Sequence, residues 1–261
     1  MREAINPYRR GVALIIQRLL WDIDYRSWIS RARLRRLKNA HEGQKAVILC
    51  NGPSLLDVDF QKLSDSGVFT FGLNKINLLF DKTNFRPSTI VSVNPYVIEQ
   101  NREFYNSTDI PLLLDSCARK IDVRFRDNVA FLHSAGVHGA FARDCSVSIN
   151  QGHTVTYVAL QIAFHMGFSS VALVGCDHNF ATKGPANKTV DAGEKDPDHF
   201  DPNYFAGNMK WQLPDLFESE IAYQKARTEY DHAGREVVNC TKGGKLEIFP
   251  RSDLSSFLQI E

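Results

Sequence analysis

Val47-Ile48-Leu49-Cys50-Asn51-Gly52-Pro53-Ser54-Leu55 is the stretch on which the reading of this chain turns. Aliphatic residues run without polar interruption into Asn-Gly-Pro-Ser, the pattern of a central strand that ends in a tight turn. Gly52 permits close backbone approach, and Pro53 sets the turn that follows. Amides exposed at such a turn, together with the Ser54 hydroxyl, are donors suited to an anion such as a phosphate. An ordinary strand-to-helix corner has the same sequence, so the rest of the chain must separate the two.

Similar short runs follow at 68–72, 89–93, 110–114, 128–132, 170–175 and 236–239, after the first at 46–50. They alternate with helical or irregular stretches, which predicts an α/β domain with a mostly parallel sheet flanked by helices. The best-marked helix starts near Thr154, with Val155, Val158, Ala159, Ile162, Ala163 and Met166 on one face and Gly167 as its stop. A second is expected from about Pro214, a residue suited to a first helical turn, toward Tyr230. Residues 181–212 are rich in Gly, Pro, Asn, Asp and Lys and lack periodicity. That is too long for a passive connection and reads as a lid loop.

With 261 residues, 43% hydrophobic and 23% charged, the chain has the composition of a globular protein with one catalytic-sized domain. A net charge of +1 argues against nucleic acid as a partner. Five cysteines without CxxC spacing suggest neither a disulfide scaffold nor structural zinc, which favours a reducing cytoplasm.

Residues 1–44 form a basic leader ahead of a domain at 45–261. Val12, Ile15, Ile16, Leu19, Leu20 and Ile23 recur at helical spacing while Arg9, Arg10 and Arg18 lie off that stripe, so an N-terminal amphipathic helix is expected. Arg26, Arg31, Arg33, Arg35 and Arg36 follow around Trp28. Residues 7–38 thus suit an anionic membrane surface, with peripheral attachment at its inner face, or else pack on the main domain or on a second copy of the chain. The apolar run Val12–Trp21 is broken by Gln17 and Arg18 and falls short of the roughly 20 residues of a membrane span. No small-residue cleavage site follows it, so a secretory signal is not expected.

Ligands of open α/β sheets bind at the carboxyl ends of strands. Asn51, Asn74 and Asn94 each follow one of the first three expected strands, offering a donor and an acceptor without charge. A fourth strand end reads Val174-Gly175-Cys176-Asp177-His178-Asn179, where Asp177 could orient a ligand hydroxyl or hold the loop. Within the lid, Asp196-Pro197-Asp198-His199-Phe200-Asp201-Pro202-Asn203-Tyr204-Phe205-Ala206-Gly207 makes His199 the candidate general base. Asp198 or Asp201 is expected to raise its proton affinity. Tyr204 can donate its phenol to a departing phosphate. Asp177, His178, His199 and Asp201 could also bind a divalent metal, but their spacing matches no ligand pattern and metal-free chemistry ranks above it.

Together these residues resemble bacterial single-domain CMP-sialic-acid sialyltransferases and the 6-hydroxymethylpterin pyrophosphokinase MptE-like family, over roughly residues 45 to 240. The resemblance rests on Asn51-Gly52-Pro53-Ser54-Leu55, Asn74, Asn94 and the Thr154 helix leading into Val174-Gly175-Cys176-Asp177. It departs at Asn179, where the sialyltransferases have Tyr, and at Asn150, Gln151 and His153, where they have Arg before the helix. The resemblance implies a Rossmann-like fold in which Asn51, Ser54, Asn74 and Asn94 hold CMP, and a lid histidine, matched by position to His199, is the base; Gly52, Thr154, Gly175, Asp177 and Asn179, at the same strand ends, are further candidates for binding the nucleotide. The activity implied is transfer of a sugar, a nonulosonate or related acid, from a CMP-activated donor to a glycan or lipid-linked acceptor in surface-glycan synthesis, with no cofactor required. The alternative is a pyrophosphokinase moving diphosphate from ATP to a pterin alcohol, with Mg²⁺ held by Asp177, Asp198 and Asp201. A third reading is a nucleotide-binding protein without catalysis.

Overall fold

The structure, a computed structural model, describes residues 6–136, 139–181, 184–205, 207 and 209–258. Two helices lead, α1 (Pro7–Asp22) and α2 (Tyr25–Leu37), followed by β1 (Lys45–Leu49), α3 (Phe60–Asp65), β2 (Phe69–Leu73) and β3 (Thr89–Ser92). Next come α4 (Pro95–Gln100), α5 (Arg102–Ser107), β4 (Leu112–Asp115), β5 (Val129–Leu132), α6 (Val155–Met166) and β6 (Ser170–Val174). The chain continues through β7 (Thr189–Asp191), β8 (Lys210–Gln212), α7 (Leu216–His232), β9 (Glu236–Asn239) and α8 (Leu254–Leu258).

The seven expected strands form one sheet in the order β5-β4-β3-β2-β1-β6-β9, with every pairing parallel. Because the sheet is covered on both faces, its strands need no polar side. Ala46 and Ile48 enter the core that holds α6 and α7, while Val47 and Leu49 enter the opposite core with Leu55, Ile76 and Val97. The architecture is Rossmann-like α/β. The chain steps outward from β1 to β5, then returns through α6 to lay β6 on the other side of β1. The sheet's order therefore reverses between β1 and β6, and a crevice opens at their carboxyl ends.

Thr154 caps α6 by accepting the Thr156 amide at 3.3 Å, and Gly167 ends it in the left-handed region at φ 94°. A Cβ there would lie 2.9 Å from the Asn39 Cα. The second expected helix is shifted: Asp215 is the N-cap of α7 and Pro214 lies outside it, because the Asp215 carboxylate accepts the Glu218 amide at 3.2 Å. The lid is more ordered than its composition implies. Thr189–Asp191 and Lys210–Gln212 pair antiparallel, strands too short to show a period, and Phe200, Tyr204, Phe205, Trp211 and Leu213 are buried. Lys82 binds Asp201 at 2.7 Å and the Phe200 amide donates to the Asn51 carbonyl at 2.9 Å, which ties this segment to the sheet's edge.

The leader divides in two. Ser27, Ser30 and Leu34 bury one side of α2 against β5, where the Phe131 amide donates to Ser30 Oγ at 3.0 Å and Arg33 donates to the carbonyls of Arg126 and Val129. This caps an edge that would otherwise expose unpaired backbone groups. α1 instead rests on the body through Trp21, stacked on His133 at 5.7 Å, and through Arg18, which donates to the Val147 carbonyl at 3.0 Å. Among the described residues no helix is long and apolar enough to cross a membrane.

Candidate functional site

A cavity of about 670 Å³ lies at the reversal point, within the size range of small-molecule and cofactor sites. Asn51, Asn74 and Asn94, distant in sequence, all line it, as do Gly52, Thr154, Gly175, Asp177, Asn179, His199 and Tyr204. Ser54 does not. Its hydroxyl donates to Asp177 Oδ2 at 2.7 Å, and it lines a smaller neighbouring cavity of about 400 Å³ beside Lys242 and Arg251.

This gives the close approach expected at Gly52 its partner, the Gly175–Asp177 loop. A Cβ at that position would overlap the Asp177 carboxylate and lie 2.7 Å from the Gly175 carbonyl. The glycine thus admits the neighbouring loop, whose Gly175 itself has φ 67°.

The asparagines are partly committed. Asn94 Oδ1 caps α4 by accepting the Tyr96 amide at 2.9 Å, and Asn74 Oδ1 accepts the Ser92 hydroxyl at 3.2 Å. Asn51 Oδ1 and Asn150 Oδ1 are buried at the cavity without a hydrogen-bond partner among the described residues. A buried polar atom left so is costly, and a ligand donor would relieve it. Strain also concentrates here. Six described non-glycine residues have positive φ, and four of them, Asn74, His153, His178 and Asn187, line the cavity.

The lid residues converge around His199. Its Nδ1 lies 2.8 Å from Asp196 Oδ2, and a carboxylate oxygen there fixes Nδ1 as the donor and leaves Nε2 able to accept a proton. The orienting group is therefore Asp196, not the expected Asp198 or Asp201: Asp198 accepts the Ala181 amide, and Asp201 is paired with Lys82. Asp196 is itself held by the amides of Asp198 at 2.8 Å and Phe205 at 3.1 Å. The imidazole stacks on the Tyr204 ring at 4.0 Å with the planes 4° apart. Tyr204 is fully buried, its hydroxyl is beside Asn74 without a well-aligned bond, and burial raises its phenol far above the ordinary range, so it stays a donor.

Lys75, which the sequence reading passed over beside Asn74, fastens the lid to β2. Its ammonium donates to the Tyr204 carbonyl at 2.6 Å and to Gln100 Oε1 at 2.8 Å, and lies 4.8 Å from the Phe205 ring centroid. Burial lowers its pKa to about 8, against the opposing pull of Asp196. Its visible signal was a lysine directly after a strand-end asparagine. That of Asp196 was the Asp-x-x-His spacing.

Each of the four residues that could have bound a divalent metal has another partner, His178 with Glu220 and His199 with Asp196 among them. Asp177 faces Ser54, Asp201 faces Lys82, and among the described residues no group of three or more His, Cys, Asp or Glu side chains is arranged to hold an ion.

An open parallel sheet with its cavity at the reversal of strand order defines the class, a Rossmann-like α/β protein. The chain belongs to the 6-hydroxymethylpterin diphosphokinase MptE-like family, whose model matches residues 24–183. In fold it is similar to the MAf glycosyltransferase from Magnetospirillum magneticum AMB-1, with a TM-score of 0.51 and 16% identity over 88% of this chain. The match spans only 39% of that larger protein. Comparison with curated proteins gives no match.

Proposed function

We propose that the cavity binds a nucleotide-activated sugar, CMP-linked, and that the enzyme transfers the sugar to a hydroxyl of a glycan or lipid-linked acceptor. The His199–Asp196 pair over a cavity to which Asn51, Asn74 and Asn94 bring uncharged amides carries this reading. His199 Nε2 takes the acceptor proton as the acceptor oxygen bonds to the anomeric carbon, and the bond from that carbon to the phosphate oxygen breaks with its electrons leaving on CMP. Asp196 positions the ring. Tyr204 and the strand-end amides, with Asn51, Asn74, Asn94 and the start of α6 at Thr154, stabilise charge developing on the phosphate. A monophosphate leaving group needs less charge neutralisation than a diphosphate, so no cofactor enters the scheme. In this reading residues 45–261 carry the chemistry, and the leader attaches it to the inner face of a membrane.

The family description favours a second reading, diphosphate transfer from ATP to a pterin alcohol. It uses the same base for the same proton. The aspartates that would hold Mg²⁺ face Ser54, the Ala181 amide and Lys82, so the donor set does not fit and no step is routed through a metal. Thermal-shift measurements with CMP, CDP, UDP, GDP and ATP, with and without Mg²⁺, separate the two. Stabilisation by CMP without Mg²⁺ supports sugar transfer, and Mg²⁺-dependent stabilisation by ATP supports the kinase. His199→Ala is expected to lower turnover about 10²- to 10⁴-fold while leaving nucleotide binding nearly unchanged. Turnover equal to wild type would remove His199 from the mechanism, and binding without product from any donor would favour the non-catalytic reading.

A further inference from the structure

α1 is two-sided. Arg10, Leu14 and Gln17 line the cavity, and Trp21 is buried against the body. On the opposite side Val12, Ile15, Ile16, Leu19, Leu20 and Ile23 are each more than half exposed, up to 70% at Ile23. A helix that faces the protein with Leu14 and Trp21 among exposed or half-buried polar and basic residues, and turns a continuous aliphatic side outward, departs from the usual surface pattern. Tyr8 at 84% and Trp28 at 60% exposure flank the stripe, amphipathic rings of the kind that sit at a membrane–water interface.

Charge selects the occupant. Residues 6–38 hold nine Lys and Arg against two Asp, a net +7 in a chain whose total is +1. A second copy docked through α1 would bring these cationic segments together, whereas an anionic bilayer complements them.

We infer that α1 lies flat on an anionic lipid bilayer, its aliphatic stripe in the headgroup boundary, and forms the wall between that bilayer and the cavity. A helix is about 10–12 Å across, so the membrane surface lies about one helix diameter from the cavity. Resting on the sugar-transfer reading, this puts the hydroxyl of a membrane-anchored acceptor within reach of the site.

The test uses the full chain, with the substitutions Ile16→Asp and Leu20→Asp together, which touch neither the cavity lining nor the core. In flotation assays wild type is expected to bind vesicles of phosphatidylcholine with phosphatidylglycerol about tenfold better than neutral phosphatidylcholine vesicles, and to be released by 0.5 M salt. The double variant should lose about tenfold or more of that binding while keeping its melting temperature. Dibrominated lipid should quench fluorescence in wild type and much less in Trp28→Phe. Absence of wild-type binding, equal binding by the double variant, or a wild-type dimer that the double variant dissolves with no vesicle binding would each overturn the proposal. CMP thermal shifts on the same proteins report on the donor reading separately: their failure leaves the vesicle result standing, and the reverse holds.

Discussion

Two helices of this protein, α6 and α1, are read from the same kind of apolar periodicity and end in opposite environments. α6 has every residue from Thr156 to Met166 buried between the sheet and α7, whereas among the described residues 8–22 of α1 only Trp21 is buried. Periodicity specifies that a segment will be helical and amphipathic. It does not specify which surface the apolar side meets. For α6 that surface is the sheet, because the helix lies on the path from β5 to β6 and Gly167 leads it directly into β6. α1 has no following strand to bring it over a sheet face.

Placing a charge on each helix tests this contrast most sharply. Ile162→Asp puts an unpaired carboxylate into a fully buried position and is expected to cost about 4 kcal/mol or more, a large part of the roughly 5–15 kcal/mol that holds a domain folded. Ile16→Asp, at a position 51% exposed, should stay within about 0.5 kcal/mol. Urea unfolding monitored by circular dichroism reads both. A cost at Ile16 approaching that at Ile162 would mean that the outer face of α1 is packed in solution.

Each helix is also fixed by a buried histidine. His165 in α6 donates Nε2–H to the Leu34 carbonyl at 2.8 Å and accepts the Cys145 amide at 3.3 Å, which is the neutral tautomer. His133 carries α1 through its stack on Trp21. Burial, reinforced by Arg18, lowers the pKa of His133 to about 4, and burial lowers that of His165. Between pH 6.5 and about 4 the unfolded chain therefore binds protons that the folded one does not, and stability falls as pH drops through that window. At 1.36 kcal/mol per unit the His133 contribution reaches at most about 3 kcal/mol. Asp24, held down mainly by its hydrogen bond from Arg26, and Asp144 have pKa values lowered to about 2, so their stabilisation is lost only at lower pH. Urea unfolding at pH 7 and pH 4.5 should show a smaller loss for His133→Phe than for wild type. An unchanged loss would place the proton uptake elsewhere.

The sheet was legible because each strand is an apolar run covered on both faces, with turn residues at its end, and the asparagines were legible because those ends coincide in a parallel sheet. What escaped the sequence depends on pairings across long separations. Ser54 and Asp177 are 123 residues apart, and their bond engages in loop support a hydroxyl that the sequence offers as a donor to a phosphate. Three aspartates stand within three residues of His199, and only the path of the lid, fastened by Lys75 and by Lys82, selects Asp196. β7 and β8 are three residues each, below the length at which alternation can be recognised. The shift from Pro214 to Asp215 reflects two adjacent residues that both favour a helix start.

The N-caps give the finest version of the comparison. Thr154 accepts the Thr156 amide at 3.3 Å and lies 3.3 Å from the Tyr223 hydroxyl, so its loss loosens both the start of α6 and the link to α7 at the cavity wall. Thr154→Ala is expected to lower global stability by about 1 kcal/mol and to speed hydrogen exchange along α6. Asn6 caps α1 in the same manner, accepting the amides of Tyr8 at 3.0 Å and Arg9 at 3.4 Å, but it is exposed and the turn it holds packs on little. Asn6→Ala should therefore raise exchange only in the first turn of α1 and move the global unfolding midpoint by no more than a few tenths of a kcal/mol. Were the two caps to shift that midpoint equally, α1 would belong to the same cooperative unit as α6, and its exposed stripe could not be treated as a surface independent of the fold.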